Sequence, residues 1–449
     1  MPSIKIYDKP LMPLAELLAA TDAGELDATL EALGSSGGAR AQRARIHALA
    51  EAFASRFGAD REVALLTVSG RSELSGNHTD HNHGCVIAAS ISLDILAIAA
   101  RRDDGVARLW SEGFGEDTVA LAHAQTPDPA AYGTSASLIA GVCVGLENAG
   151  YTVGGFDACT VSDVFKGSGL SSSAAFEDMV GTIQSHLYND GKIDEVTIAK
   201  IAQYAENRFF GKPCGLMDQV ACAVGGIVSI DFADPSAPLI TPLPFDMTAA
   251  GYHLCIVNTG GNHADLTDDY AAVPAEMKAV AAYFGRPVLR EVEESAVMAA
   301  IPALREEVGD RAILRALHFF AENRRVKAQK AALESAIVAA DPSEAESALR
   351  AFFSHVRESG RSSYCYLQNV YTTKNVAEQG LSLALCLCDR ILGDTWGAYR
   401  VHGGGFAGTV QAFVPAALVD TFTAAMDAAF GQGATSDLKI RSVGAARIW

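Results

Sequence analysis

From residue 11 to residue 58 apolar side chains return every three or four positions, the period of helices with one buried face, with a break at the flexible SSGG of 35–38. The pattern then changes. Apolar, β-branched runs at 63–69, 85–91, 93–100 and 106–111 predict an antiparallel, strand-rich opening. The helical period resumes at 134–149, 173–188 and 194–209, and GGIVSIDF (225–232) reads as a strand. The proline cluster DPSAPLITPLP (234–244) marks a domain boundary or a long crossing loop. Beyond it, YHLCIVNT (252–259) predicts a strand, followed by helices around 269–284, 310–340, 342–358 and 375–392. The chain closes with the strand TVQAFVP, the helix AALVDTFTAAMDAAFG and a final strand at 439–448. Strands first and helices later predict the α+β class.

A chain of 449 residues buries a large core, most simply as two domains. With a net charge of −18 and no Lys/Arg block, it is not built to hold nucleic acid, so a phosphate site must come from backbone amides, a few cations and metal. Nine cysteines without zinc-type pairing fit reduced thiols in the cytoplasm, with Cys386 and Cys388 expected in the core. No basic stretch followed by an apolar one suggests a secretory leader. The most apolar window, 85–100, is broken by Ser90, Ser92 and Asp94, too short to span a bilayer, and reads as two buried strands; no membrane partner is expected.

The densest chemistry lies in SDVFKGSGLSSSAAFE (162–177). A glycine-rich turn that opens a helix aims unpaired N–H groups and the positive end of the helix dipole at one point, as a phosphate cradle does. A plain loop with a serine N-cap uses the same letters. No GxxxxGK[ST] occurs, and the one GxGxxG, Gly403–Gly408, runs into a strand-like TVQAFV rather than a helix, so neither a P-loop nor a dinucleotide fingerprint is present. In SGRSELSGNHTDHNHG (69–84), Arg71, Asn77, His78, Asp80, His81 and His83 crowd one turn, a density of donors and acceptors suited to sugar hydroxyls. Zinc on His78, His81 and His83 competes with that reading, without HExxH spacing or a cysteine partner to support it. In AENRFFGKPCGLMDQVACAVGG (205–226), Glu206 falls on a helix, and Asp218 is a helix N-cap first, a general base or metal ligand second. The triple glycine of HGGGFAGTVQAF (402–413) permits either a close backbone approach or a tight turn.

Taken in order, GRSELSGNHTDHNHG, FKGSGLSSSAA, CGLMDQ and HGGGFAG resemble the galactokinase branch of the GHMP small-molecule kinases, with VNTGGNHADLTDDY (257–270) and RALHFFAENRRV (315–326) in support. The resemblance covers about residues 63–448 and implies a two-lobe fold. A ribosomal-protein-S5-like domain at 61–235 and a ferredoxin-like domain at 236–449 would flank the active site, with residues 1–60 as a helical extension. It implies Asp218 as the base for the anomeric hydroxyl and Arg71 as its charge partner. Gly167, Ser168, Gly169, Leu170, Ser171, Ser172 and Ser173 would form the ATP phosphate loop, with Ser173 and Glu206 as Mg2+ ligands. Asn77, His78, Thr79, Asp80 and Tyr270 would bind the sugar.

The chain departs from the pattern at Asn77, where galactokinases usually carry Glu, at His81 in place of Tyr, and at Phe165 where Pro is frequent. Loss of the Glu charge near the sugar's C6 would admit a C6 carboxylate such as galacturonate, and protonated His81 or His83 would favour it. The expected activity is ATP-dependent phosphorylation of galactose or a C6-modified relative by a monomer or small homo-oligomer. A non-catalytic sugar sensor on the same fold would be expected to lose Asp218, Arg71 or part of GLSSSAA; all are present.

Overall fold

The computed structural model describes residues 10–34, 37–164, 170–212, 214–261, 266–393 and 395–449. A short β1 (Met12–Pro13) precedes α1 (Leu14–Ala23), α2 (Asp27–Ala32) and α3 (Gly38–Phe57). In α3 the buried Ile46, Leu49, Ala50, Phe53 and Phe57 follow the three-and-four spacing of one helical face. That face packs on Leu65, Leu96, Ile98 and Cys159 of the first sheet and on Trp449, each large apolar side chain contributing about 1.5–3 kcal/mol by burial. The helical opening is therefore a layer of the first lobe.

Next come β2 (Glu62–Ser75), β3 (Cys85–Arg102), β4 (Val106–Ser111) and β5 (Gly115–Ala120). The two apolar runs at 85–91 and 93–100 are one strand of 18 residues. The polar interruption did not end it because Asp94 is satisfied in place: Arg45 of α3 and Arg441 near the C-terminus reach its carboxylate at 2.8 and 2.9 Å, and the Thr67 hydroxyl donates to it at 2.7 Å. Then follow α4 (Ser135–Asn148), β6 (Gly155–Ser162), α5 (Ser172–Tyr188), α6 (Glu195–Ala205), α7 (Met217–Val224), β7 (Ile227–Asp231) and β8 (Leu239–Leu243). The sheet orders β1-β2-β3-β6-β4-β5, with β7 on the first half of β3 and β8 beyond it. Pro242 sits in β8, which pairs only with β7, an edge position where a missing N–H is tolerated. The proline cluster at 234–244 thus contains a strand of the first sheet.

The second lobe contains β9 (Tyr252–Asn258), α8 (Thr267–Tyr283), α9 (Glu294–Glu307), α10 (Asp310–Val338), α11 (Pro342–Ser362), α12 (Gly380–Leu392), β10 (Ala398–Val401), β11 (Thr409–Pro415), α13 (Val419–Phe430) and β12 (Thr435–Leu438). Its sheet orders β10-β11-β9-β12, all antiparallel. Helix α9, with only Val297 and Leu304 buried, left too faint an apolar stripe for the sequence to show. The expected strand at 439–448 is reduced to β13 (Ala446–Arg447), which returns to pair with β2 in the first sheet, and to a lone bridge from Ile440 to Ile91 of β3. Cys388 is buried as expected, but Cys386 is exposed: two residues apart on α12, they face different sides. Among the described residues, no helix is long and apolar enough to cross a membrane.

Candidate active site

Strand β2 and helix α7 bring Arg71 and Asp218 together across 147 positions of sequence. The Arg71 Nε–H donates to one carboxylate oxygen at 2.8 Å and Nη2 lies 2.6 Å from the other, a bidentate fork. Asp218 is the second residue of α7 and not its cap; that place belongs to Leu216. The Asp218 carboxylate instead accepts a further bond from the Ser171 hydroxyl, and about a third of its side chain stays open. Ser171 stands immediately before α5 at φ 58°, left-handed for a non-glycine residue, and makes no capping bond with its side chain. Its tie to Asp218 is the feature the sequence did not disclose.

Burial pushes the Asp218 carboxyl up; the Arg71 charge, the Ser171 and Arg71 hydrogen bonds and Lys212 outweigh it and leave the group below its ordinary value. A base with a depressed pKa is ready above that pKa and is lost as pH falls through it. Arg71→Gln removes the main opposing charge, so the acid limb of kcat/KM should move upward. The variant's kcat/KM should therefore begin to fall at a higher pH than the wild type's on the acid side. Superimposable profiles would refute this account of Asp218.

The cation-binding expectation falls on α5 and the π-helical turn Glu206–Phe210 that ends α6. The Ser173 hydroxyl lies 3.2 Å from Glu206 Oε1, the Lys212 ammonium donates to the same oxygen at 2.8 Å, and Gln219 Nε2–H donates to Glu206 Oε2 at 2.9 Å. A buried carboxylate whose oxygen is shared by a hydroxyl and a half-exposed ammonium is a fit place for a hard divalent cation. Leu170 to Ser173 flank the cradle; Gly167, Ser168 and Gly169, with Phe165, lie outside the described residues.

The sugar-binding expectations divide. Asp80 lies against the segment leading to α7: its Oδ1 accepts the His81 N–H at 2.9 Å, and a Cβ on Gly215 would fall 2.0 Å from its Oδ2, so the glycine of CGLMDQ makes room for it. Thr79 is wholly buried, its hydroxyl 2.9 and 2.7 Å from the carbonyls of Gly76 and Cys85, which shapes the turn. Asn77, His78 and Tyr270 bind the glycine turn after β10 through three successive carbonyls. Asn77 Nδ2–H donates to Gly403 at 2.6 Å, His78 Nε2 lies 2.9 Å from the Gly404 oxygen, and the Tyr270 hydroxyl donates to Gly405 at 2.9 Å. The turn must be glycine there: a Cβ on Gly404 would meet the Tyr270 ring at 2.0 Å, and one on Gly405, at φ 77°, the Asn369 carbonyl at 2.0 Å.

Asn77 therefore does not present a free amide. It is fully buried, its Oδ1 accepts from Asn369 at 2.8 Å and Ser363 at 3.2 Å, and its Nδ2 also reaches Glu73 Oε1 at 3.2 Å. Glu73 lies beside it, paired with the buried Arg400, and burial pushes its carboxyl up. The histidines change the picture as well. Burial pushes His78 down to about 4 and lowers His83, so neither supplies positive charge near neutrality. His78 spends a ring nitrogen on Gly404, and among the described residues no three His, Cys, Asp or Glu side chains form a metal cluster. The GxGxxG of Gly403–Gly408 leads into β11, a strand, as its alternation indicates.

Residues 137–226 match the GHMP kinases N terminal domain, and residues 51–101 match the galactokinase galactose-binding signature. A galactokinase of Streptomyces coelicolor is 33% identical over 383 residues, which span 85% of this chain and 92% of that protein. The chain belongs to the galactokinase family. A galactokinase of Exiguobacterium sibiricum is 30% identical over 364 residues, 80% of this chain and 87% of that one. The family fold is seen directly in the solved structure of Lactococcus lactis galactokinase complexed with galactose. It superposes with a TM-score of 0.72 at 24% identity, covering 88% of this chain and 98% of that one. A mevalonate kinase shares the fold more distantly, with a TM-score of 0.55 at 13% identity.

Proposed function

We propose that the chain transfers the γ-phosphoryl group of ATP to the anomeric hydroxyl of galactose, yielding galactose 1-phosphate and ADP. The observation that carries the reading is the Arg71–Asp218–Ser171 constellation at the start of α5 in a galactokinase-family chain. Asp218, ionised and held in place by Arg71 and Ser171, accepts a hydrogen bond from the sugar's C1 hydroxyl and orients its oxygen toward the γ-phosphorus. As the oxygen–phosphorus bond forms, the bond to the β,γ-bridging oxygen breaks and ADP departs. The C1 proton passes to Asp218 late, as its low pKa requires and as a loose transition state permits. Arg71 keeps Asp218 charged and offers positive charge beside the reacting centre.

Ser173 and Glu206 would hold Mg2+, which supplies charge neutralisation to the phosphates when bound. The amides at the start of α5 extend the phosphate site with the helix dipole behind them. Asp80 and the turn fixed by Asn77, His78 and Tyr270 shape the sugar side.

Sugar-dependent ADP release with Mg-ATP should be measured on galactose, galacturonate, N-acetylgalactosamine, glucose and arabinose. Galactose is expected to turn over best, because the Asn77 amide is already engaged by protein partners. Preference for galacturonate would overturn the substrate assignment, and no turnover on any sugar would favour the sensor reading.

A further inference from the structure

Helix α5 carries Ser173 and Glu177 four residues apart, hence on one face, turned toward Glu206 and Gln219. Gln219 Nε2–H is shared between Glu206 Oε2 at 2.9 Å and Glu177 Oε2 at 3.2 Å, so one amide clasps two buried carboxylates. Glu177 and Gln219 are fully buried, yet Glu177 Oε1 and Gln219 Oε1 have no hydrogen-bond partner. Native interiors seldom leave buried acceptors empty unless a ligand, an ion or water fills them. The unfilled atoms in this group are oxygens, and among the described residues the ammonium that reaches it, Lys212 on Glu206, comes from a half-exposed side chain. Two buried carboxyl groups with an unfilled oxygen, beside a half-exposed ammonium, offer hard oxygens on which a cation can be held.

We infer that Glu177, oriented by Gln219, is a further oxygen donor of the divalent-cation site, acting on the metal directly or through one of its waters. The inference rests on the magnesium–ATP reading above and adds to it a second carboxylate. Mg2+ retains several waters and favours hard oxygens, and an outer carboxylate that anchors such a water typically affects metal affinity by about 10–100-fold. Lys212, which donates to Glu206 Oε1, would give up that bond as the cation enters.

The test is the metal–nucleotide coupling: the affinity for a non-hydrolysable ATP analogue in Mn2+ divided by that in EDTA, measured by calorimetry. Electron paramagnetic resonance of bound Mn2+ provides an independent readout. Wild type, Glu206→Gln, Glu177→Gln and Glu177→Asp are compared after their melting curves establish folding. Glu177→Gln should reduce the coupling by about tenfold or more and alter the Mn2+ spectrum. Glu177→Asp, which keeps the charge but withdraws it by one methylene, should fall between and serves if the first variant does not fold. Wild-type coupling in both Glu177 variants, with Glu206→Gln impaired, would overturn the inference alone. Wild-type coupling in Glu206→Gln as well would overturn the magnesium reading on which it rests.

Discussion

Asp218→Asn should reduce kcat by about 10²–10⁴-fold while galactose still binds. Asn fills the same volume at the second position of α7 and accepts from Arg71 through its one oxygen, so the local fold survives. What disappears is the charge that orients the anomeric hydroxyl and finally takes its proton. Two neighbouring groups sharpen the expectation. The Ser171 hydroxyl can turn to serve as donor or acceptor, and so preserves its link to the amide. Arg71, nearly buried, loses its bidentate carboxylate, a ground-state penalty that no surface change would carry. Calorimetric titration with galactose together with steady-state kinetics separates the two effects. A kcat within a few-fold of wild type would remove Asp218 from the chemistry, and abolished sugar binding would show that it mainly shapes the pocket.

Asp94→Ala should be the most destabilising single change outside the site, by about 3–5 kcal/mol. Its carboxylate receives the Arg45 guanidinium from α3, the Arg441 guanidinium from the returning C-terminal segment and the Thr67 hydroxyl from β2. Arg441 is almost wholly buried and its other bonds go to backbone carbonyls of Val443 and Gly444, so without Asp94 a buried charge loses its counter-charge. Arg45 retains Asp163, at 2.9 Å, and is less affected. Three parts of the chain thus release at once: the N-terminal helical layer, the core strands and the tail leading to β13. Thermal unfolding and hydrogen exchange across residues 38–57 and 441–449 would show a lowered midpoint and faster exchange in both segments. An unchanged midpoint would mean that the hub is electrostatically neutral to stability.

What the sequence disclosed follows the range of the interactions involved. Helices such as α5 and α11 have strong local periodicity and were legible to within a few residues. Strand β3 was split in two because Asp94 looks like a terminator until Arg45 and Arg441, 49 residues before and 347 after it, supply its partners. The fate of 439–448 was hidden for a similar reason, since a two-residue strand that pairs back to β2 leaves no periodic trace.

In the site, residue types and order pointed to Arg71, Asp218, Ser173 and Glu206, which the fold brings into two adjoining clusters. The side-chain assignments at Asn77, His78 and Tyr270 were beyond sequence, because their partners are backbone carbonyls more than 130 positions away. An amide in the 77–80 turn reads as a sugar ligand; only the structure shows it spent on Gly403, Asn369 and Glu73. Glu177 was detectable in principle, since Ser173 and Glu177 stand one helical turn apart in SSSAAFE.

The most direct test of the central claim is product identity. The wild-type protein, Mg-ATP and galactose should be followed by phosphorus NMR with proton coupling. The account predicts stoichiometric loss of the γ-phosphate signal and a new phosphomonoester coupled to the anomeric proton. A phosphate coupled to any other carbon's proton, or inorganic phosphate released without a sugar ester, would contradict it.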